Sequence, residues 1–157
     1  MKIKLVSALV LVSSISGAAI GLTAQSGDYG KYLTVPDIEK ASGLSGLKLV
    51  HREPRKGAGG NLNFARSDGQ LVLIAVFYDK TLFSQYAGEP AMVKSQVPGV
   101  GDEALLGPKQ YPPYFLVFRK GDKSVALSTF MDPGSPSRTI LSTDQLIVLG
   151  KVVEGRL

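Results

Sequence analysis

Leu71-Val72-Leu73-Ile74-Ala75-Val76-Phe77-Tyr78 is the stretch that decides the fold of this chain. An edge strand with one wet face alternates apolar and polar residues. Here both alternating sets are apolar, which predicts a central strand covered on its two faces. Upstream, Asn61 to Arg66 reads as its partner, joined across Ser67-Asp68-Gly69-Gln70, where Asp-Gly supplies the positive backbone angles of a tight hairpin turn. Leu47 to Arg52 reads as a further strand, and Pro54 to Gly60 as a loop rich in glycine and positive charge.

A second group of strands lies downstream. Tyr114 to Lys120 and Ser124 to Phe130 are joined across Gly121-Asp122, again a pair suited to a two-residue turn, and Glu103 to Leu106 reads as a short strand before them. The hairpins resemble one another: Asn63-Phe64-Ala65-Arg66 precedes Asp68-Gly69 as Val117-Phe118-Arg119-Lys120 precedes Gly121-Asp122.

Three helices are predicted around these strands. Thr34-Val35-Pro36-Asp37 offers a hydroxyl cap, a proline in the first turn and an acid three residues on, and Gly43 closes that helix. Thr81 to Ala87 is short and amphipathic, with Leu82, Phe83 and Tyr86 at helical spacing and Gly88 to end it. The last helix is capped by Ser142 with Gln145 in the reciprocal position, stapled by Leu141 and Leu146, and apolar along Leu146, Leu149, Val152 and Val153. The order helix, three strands, helix, three strands, helix predicts an α+β domain: an antiparallel sheet of about six strands with helices packed on it. If the halves repeat, each unit is one helix followed by three strands.

The N-terminus reads as an export signal: basic Lys2 and Lys4, an apolar stretch from Leu5 to Leu22, then a short polar region, with no acid before Asp28. Cleavage is expected after Ala24, with Ala19 as the competing site. An uncleaved membrane-spanning segment is the alternative, which four serines and two glycines make weakly apolar for that role. The expected organisation is a signal peptide over 1–24, a linker over 25–33 and one domain over 34–157. That leaves roughly 130 residues, the size of a single domain.

Of the 157 residues, 44% are hydrophobic and 20% charged, ordinary for a folded globular chain. Loss of Lys2 and Lys4 takes the formal charge from +5 to about +3, too mild to imply a nucleic-acid partner. With no cysteine there is no disulfide, no thiolate metal site and no lipid anchor on a thiol.

The basic loop containing Arg52, Arg55 and Lys56 with Gly57, Gly59 and Gly60 combines amides and cations as an anion cradle does. It lacks the Gly-Lys-Ser/Thr ending of a phosphate loop and leads into a strand, so it also reads as a solvated connector. Arg66, Arg119 and Lys120 end their strands just before the turns and would form a basic patch if equivalent strand ends met. Arg55, Lys56, Asn61, Arg66 and Arg119 are thus the candidate ligand-binding residues. His51, the lone histidine, is insufficient for a His-based metal cluster, and no Gly-x-Ser-x-Gly elbow accompanies it. Asp102 and Glu103 are adjacent and point to opposite faces of a strand. No catalytic residue, metal site or cofactor is assigned. Tyr29, Tyr32, Tyr111 and Tyr114 lie near polar or proline-rich segments, where tyrosine either builds a recognition surface or covers the ends of a sheet.

Val97-Pro98-Gly99-Val100-Gly101-Asp102-Glu103-Ala104, followed by Phe118-Arg119-Lys120-Gly121-Asp122, resembles a pattern in small exported bacterial proteins of uncharacterised function, many of them lipoproteins. The resemblance spans about the second half of the mature chain. It supplies no catalytic residue, and the absent cysteine separates this chain from the lipoproteins. Physically, the proline and two glycines make a bend from which Asp102 can bond back to the loop and Ala104 enters the sheet. The expectation is a periplasmic or secreted non-enzymatic binding or accessory domain for an unidentified protein or small-molecule partner, with no stable membrane anchor after cleavage. The alternatives are a carrier of an apolar or anionic ligand in a cavity beside Leu71 to Tyr78, and a hydrolase using His51.

Overall fold

A computed structural model describes residues 28–50, 59–89, 94–108 and 113–157. Helices α1 (Val35–Ser42), α2 (Thr81–Gly88) and α3 (Thr143–Glu154) pack on a seven-stranded antiparallel sheet, so the chain is α+β. In chain order the strands are β1 (Lys48–Val50), β2 (Gly60–Ala65), β3 (Leu71–Asp79), β4 (Ser95–Gln96), β5 (Glu103–Gly107), β6 (Phe115–Lys120) and β7 (Lys123–Thr129). A separate two-stranded ribbon, β8 (Met131–Asp132) with β9 (Ser135–Thr139), follows β7.

Across the sheet the order is β1-β2-β3-β7-β6-β5-β4. The doubly apolar β3 is central, paired with β2 on one side and β7 on the other. The six expected strands form two meanders, β1-β2-β3 and β5-β6-β7, whose last strands meet antiparallel in the middle. The two-residue β4 adds the seventh strand at an edge, paired to Leu105 and Leu106.

The repeat extends to strands and stops at helices. Phe64 of β2 and Phe118 of β6 occupy corresponding positions in the two meanders, both buried in the larger core cluster with Leu73, Leu116 and Leu127. α1 and α3 contribute Ile38, Leu146, Leu149 and Val153 to that cluster. α2 lies on the opposite face, where Leu82 and Phe83 pack on Phe115, Val117 and Ala126. One face is therefore covered by α1 and α3, the other by α2 over the second meander.

The two hairpins turn differently. Gly121 has φ 57° and opens a two-residue turn between Lys120 and Lys123, whereas Gly69 (φ 88°) ends a longer loop in which Asp68 accepts a bond from the Gln70 amide. Among the described residues only glycines take positive φ, so Asp68 and Asp122, beside Gly69 and Gly121, work through side-chain bonding or ordinary backbone angles.

Both helix caps form as their sequences require. Thr34 and Asp37 complete a capping box on α1, as Ser142 and Gln145 do on α3, and Gly43 closes α1 at φ 73°. The stretch 25–33, expected to be a linker, differs from Asp28 onward. Tyr29–Lys31 is a 3-10 turn, Leu33 is buried, and Tyr29 and Tyr32 pack against the core. The domain thus begins before Thr34 because its first aromatic residues have a sheet end to cover. The 1–24 leader and Ala24 lie outside the described residues; among these no helix is long and apolar enough to cross a membrane.

Candidate functional site

Residues three apart on a 3-10 turn lie above one another. Tyr29 and Tyr32 accordingly project together onto Phe77 near the end of β3, with ring centroids 4.9 and 5.6 Å from it. Gly60, the first residue of β2, makes this possible: a Cβ there would stand 2.2 Å from Tyr29 Cε2. Gly59 continues the ladder by donating its amide to Phe77 O at 3.0 Å. The glycines at the end of the basic loop serve this close approach.

The rings wall a cleft of about 340 Å3 that also takes in Asp79, Asp122, Lys123, Val125 and Leu157. Its rim charges come in opposite couples. Asp79 and Lys123 are cross-strand partners, and Lys80 stands 3.9 Å from Asp122, both highly exposed. Lys123 Nζ lies 5.6 Å from the Tyr32 ring centroid and donates to Leu157 O at 3.2 Å; Lys31 Nζ is 5.1 Å from the same ring. The Thr81 hydroxyl and amide both bond Asp79 Oδ1 and hold its carboxyl below the ordinary value. Ser124 reaches the cleft wall, but its buried hydroxyl accepts the Phe83 amide on the other face of the sheet.

Two other concavities are differently built. A groove of about 390 Å3 on the α2 face is lined by Ile74, Tyr86, Tyr114, Ser128, Phe130 and Met131, and the Thr129 hydroxyl beside it is committed to Val72 O and the Leu141 amide. A third, beside Phe83, Val97 and Leu105, has Asp102 and Glu103 at its edge. Those carboxylates are engaged: Arg119 Nη2 meets Glu103 Oε2 at 3.0 Å, and Asp102 Oδ2 accepts the Gly121 amide at 2.8 Å. Asp102 therefore bonds the β6–β7 turn rather than its own loop. With Gly101 seated against Arg119 O, the two separated parts of the exported-protein pattern are joined in one structural knot.

Of the candidate ligand residues, the described ones, Asn61, Arg66 and Arg119, do not converge. Arg55 and Lys56, like His51, Ala24 and Tyr111, lie outside the described residues. Asn61 is half-buried on the α2 face, opposite Val76. Arg66 bonds Gln70 Oε1 at the far end of the sheet, since the start of β3 faces the end of β7. Arg119 is held by Glu103 and Gly121, and Lys120 by Glu154. The basic patch is therefore not assembled: related hairpins in an antiparallel arrangement place their tips at opposite ends. Tyr29 and Tyr32 cover a sheet end, and Tyr114 is partly exposed. The cleft's rim, Asp79, Asp122 and Lys123, was missed because each belongs locally to a strand end or turn; only the β3–β7 register brings them together.

Among the described residues no group of three or more His, Cys, Asp or Glu side chains could hold a metal ion. No family model matches the sequence, and no curated protein or solved structure is significantly similar to it.

Proposed function

We propose that this chain acts outside the cytoplasm as a non-enzymatic binding domain, with its ligand held in the Tyr29–Tyr32–Phe77 cleft. The observation that carries this reading is the cleft's composition among the described residues: an aromatic wall, exposed polar groups at the rim, and no described side chain arranged for proton transfer or attack. General acid-base chemistry is most efficient with a group titrating near working pH. Asp79 is instead held ionised by Thr81, and the Ser124 hydroxyl is already bonded away from the cleft. Ligand sites combine apolar walls with a few directional polar groups, and this cleft has both. The groove on the α2 face offers hydroxyls but no charged side chain in its lining and is the second candidate. Export rests on the basic and apolar leader.

The test is native mass spectrometry of the mature chain after incubation with the small-molecule fraction of the cell envelope, beside an Asp122→Ala variant. The expected result is a bound species of defined mass on the wild type and its loss or weakening on the variant. Equal retention by both, or chemical conversion of the bound species, contradicts the reading.

A further inference from the structure

We infer that the ligand of the Tyr29–Tyr32–Phe77 cleft is a neutral saccharide, an inference that rests on the cleft being the binding site. Charge narrows the class first. The rim carries the opposite couples Asp79/Lys123 and Lys80/Asp122, and Lys31 beside it lies over the Tyr32 ring. A charged ligand gains from one member of each couple and is repelled by the other. A purely apolar ligand strips water from these ions and returns no hydrogen bond, which is unfavourable.

A polyol avoids both penalties. Its hydroxyls donate to carboxylates and accept from ammonium groups, and bonds to ionised partners are the stronger kind. The capacity for them is present. Asp122 is almost fully exposed with Lys80 only at 3.9 Å, and Lys123, which carries three donors, gives one to Leu157 O. The C–H face of a sugar ring packs on apolar surface, which Tyr29, Tyr32 and Leu157 provide beside those groups. About 340 Å3 lies near the lower bound for ligand pockets and suits a mono- or disaccharide.

The experiment is an NMR titration of the mature chain, with labelled tyrosines, against neutral hexoses, pentoses, N-acetylhexosamines and their disaccharides. A sugar acid and an uncharged aromatic compound are titrated in parallel. The expected result is a saturable shift of Tyr29 and Tyr32 with at least one neutral saccharide, weakened about tenfold by Asp122→Ala, the scale of one hydrogen bond to a charged group. Asp122→Asn, which keeps the shape and a hydrogen-bonding oxygen, should lose less. If only the sugar acid or the aromatic compound moves these tyrosines, the saccharide assignment fails while the cleft stands as a site. If none of the probes moves them, the saccharide assignment is overturned, and the mass-spectrometric comparison judges the cleft separately.

Discussion

Asp37 and Arg156, 119 residues apart in sequence, form a bidentate ion pair with N···O distances of 2.6 and 2.8 Å. The same carboxylate completes the capping box of α1, taking the Thr34 amide at 2.9 Å. At the other end of the helix pair, Gln145 completes the box of α3 and donates Nε2 to Ser42 O at 3.3 Å. Each capping-box partner thus closes its own helix and ties it to the neighbouring one, fixing α1 antiparallel to α3 beside the turn that carries Tyr29 and Tyr32.

Asp37→Ala should therefore destabilise the domain by about 1–2 kcal/mol, combining a lost N-terminal cap with a partly exposed ion pair. Urea unfolding of wild type and variant measures it. The Arg156 hydrogen bonds, then those from Thr34, hold the Asp37 carboxyl well below its ordinary 3.8. A depressed folded-state value means that the contribution is fully present above about pH 4 and is lost as pH falls through the folded-state value. Asp37→Asn should flatten that acid-side loss, which unfolding at a series of pH values will show.

Gly101→Ala should be more destabilising than Gly99→Ala by about 2 kcal/mol or more. Both glycines have positive φ, 60° and 76°, so both variants carry the left-handed strain of about 1–2 kcal/mol. A Cβ at Gly101 additionally meets Arg119 O at 2.4 Å, whereas at Gly99 nothing lies within 4 Å. Thermal or urea unfolding of the two variants makes the comparison. Equal losses would show that the packing of the knot is unimportant.

Gly150→Ala should lower stability by about 1–2 kcal/mol although alanine favours helix. The new methyl would lie 2.6 Å from Leu116 Cδ2 and 3.2 Å from Val100 Cγ1, with both residues buried. Overpacking of this kind costs about 1–3 kcal/mol and outweighs a propensity gain of about 1 kcal/mol. Denaturant midpoints at unchanged slope give the sign.

Gly60→Ala should release the Tyr29–Lys31 turn while leaving the sheet folded. The methyl would take the place of the Tyr29 ring, which can swing outward at modest expense. Amide exchange is the readout: protection falls at the 29–32 turn and is retained in β3 and β7.

The sequence made the central strand, both hairpins and both capping boxes legible because each depends on neighbours within a few residues. Ala75 and Phe77 are buried in the core under α1 and α3, while Tyr78, on the other face of β3, packs against the α2 cluster, as the apolar alternation requires. β4 was missed because Ser95–Gln96 has no strand signature of its own and is held by its partners in β5. The placement of α2 opposite α1 was equally unreadable: both helices are amphipathic, and amphipathicity does not choose a face of a sheet covered on both. The cleft stayed hidden for a long-range reason. Asp79 and Lys123 become partners only through the β3–β7 register, and Gly60 has meaning only once Tyr29 is seated on it.

The ring signals of the six tyrosines offer the most direct measurement of the central claim. With the chain carrying labelled tyrosine, the ligand recovered from the envelope fraction should shift Tyr29 and Tyr32 and leave Tyr86 and Tyr114, which line the groove on the opposite face, in place. Shifts confined to Tyr86 and Tyr114 would contradict the account and move the binding site to the α2 face.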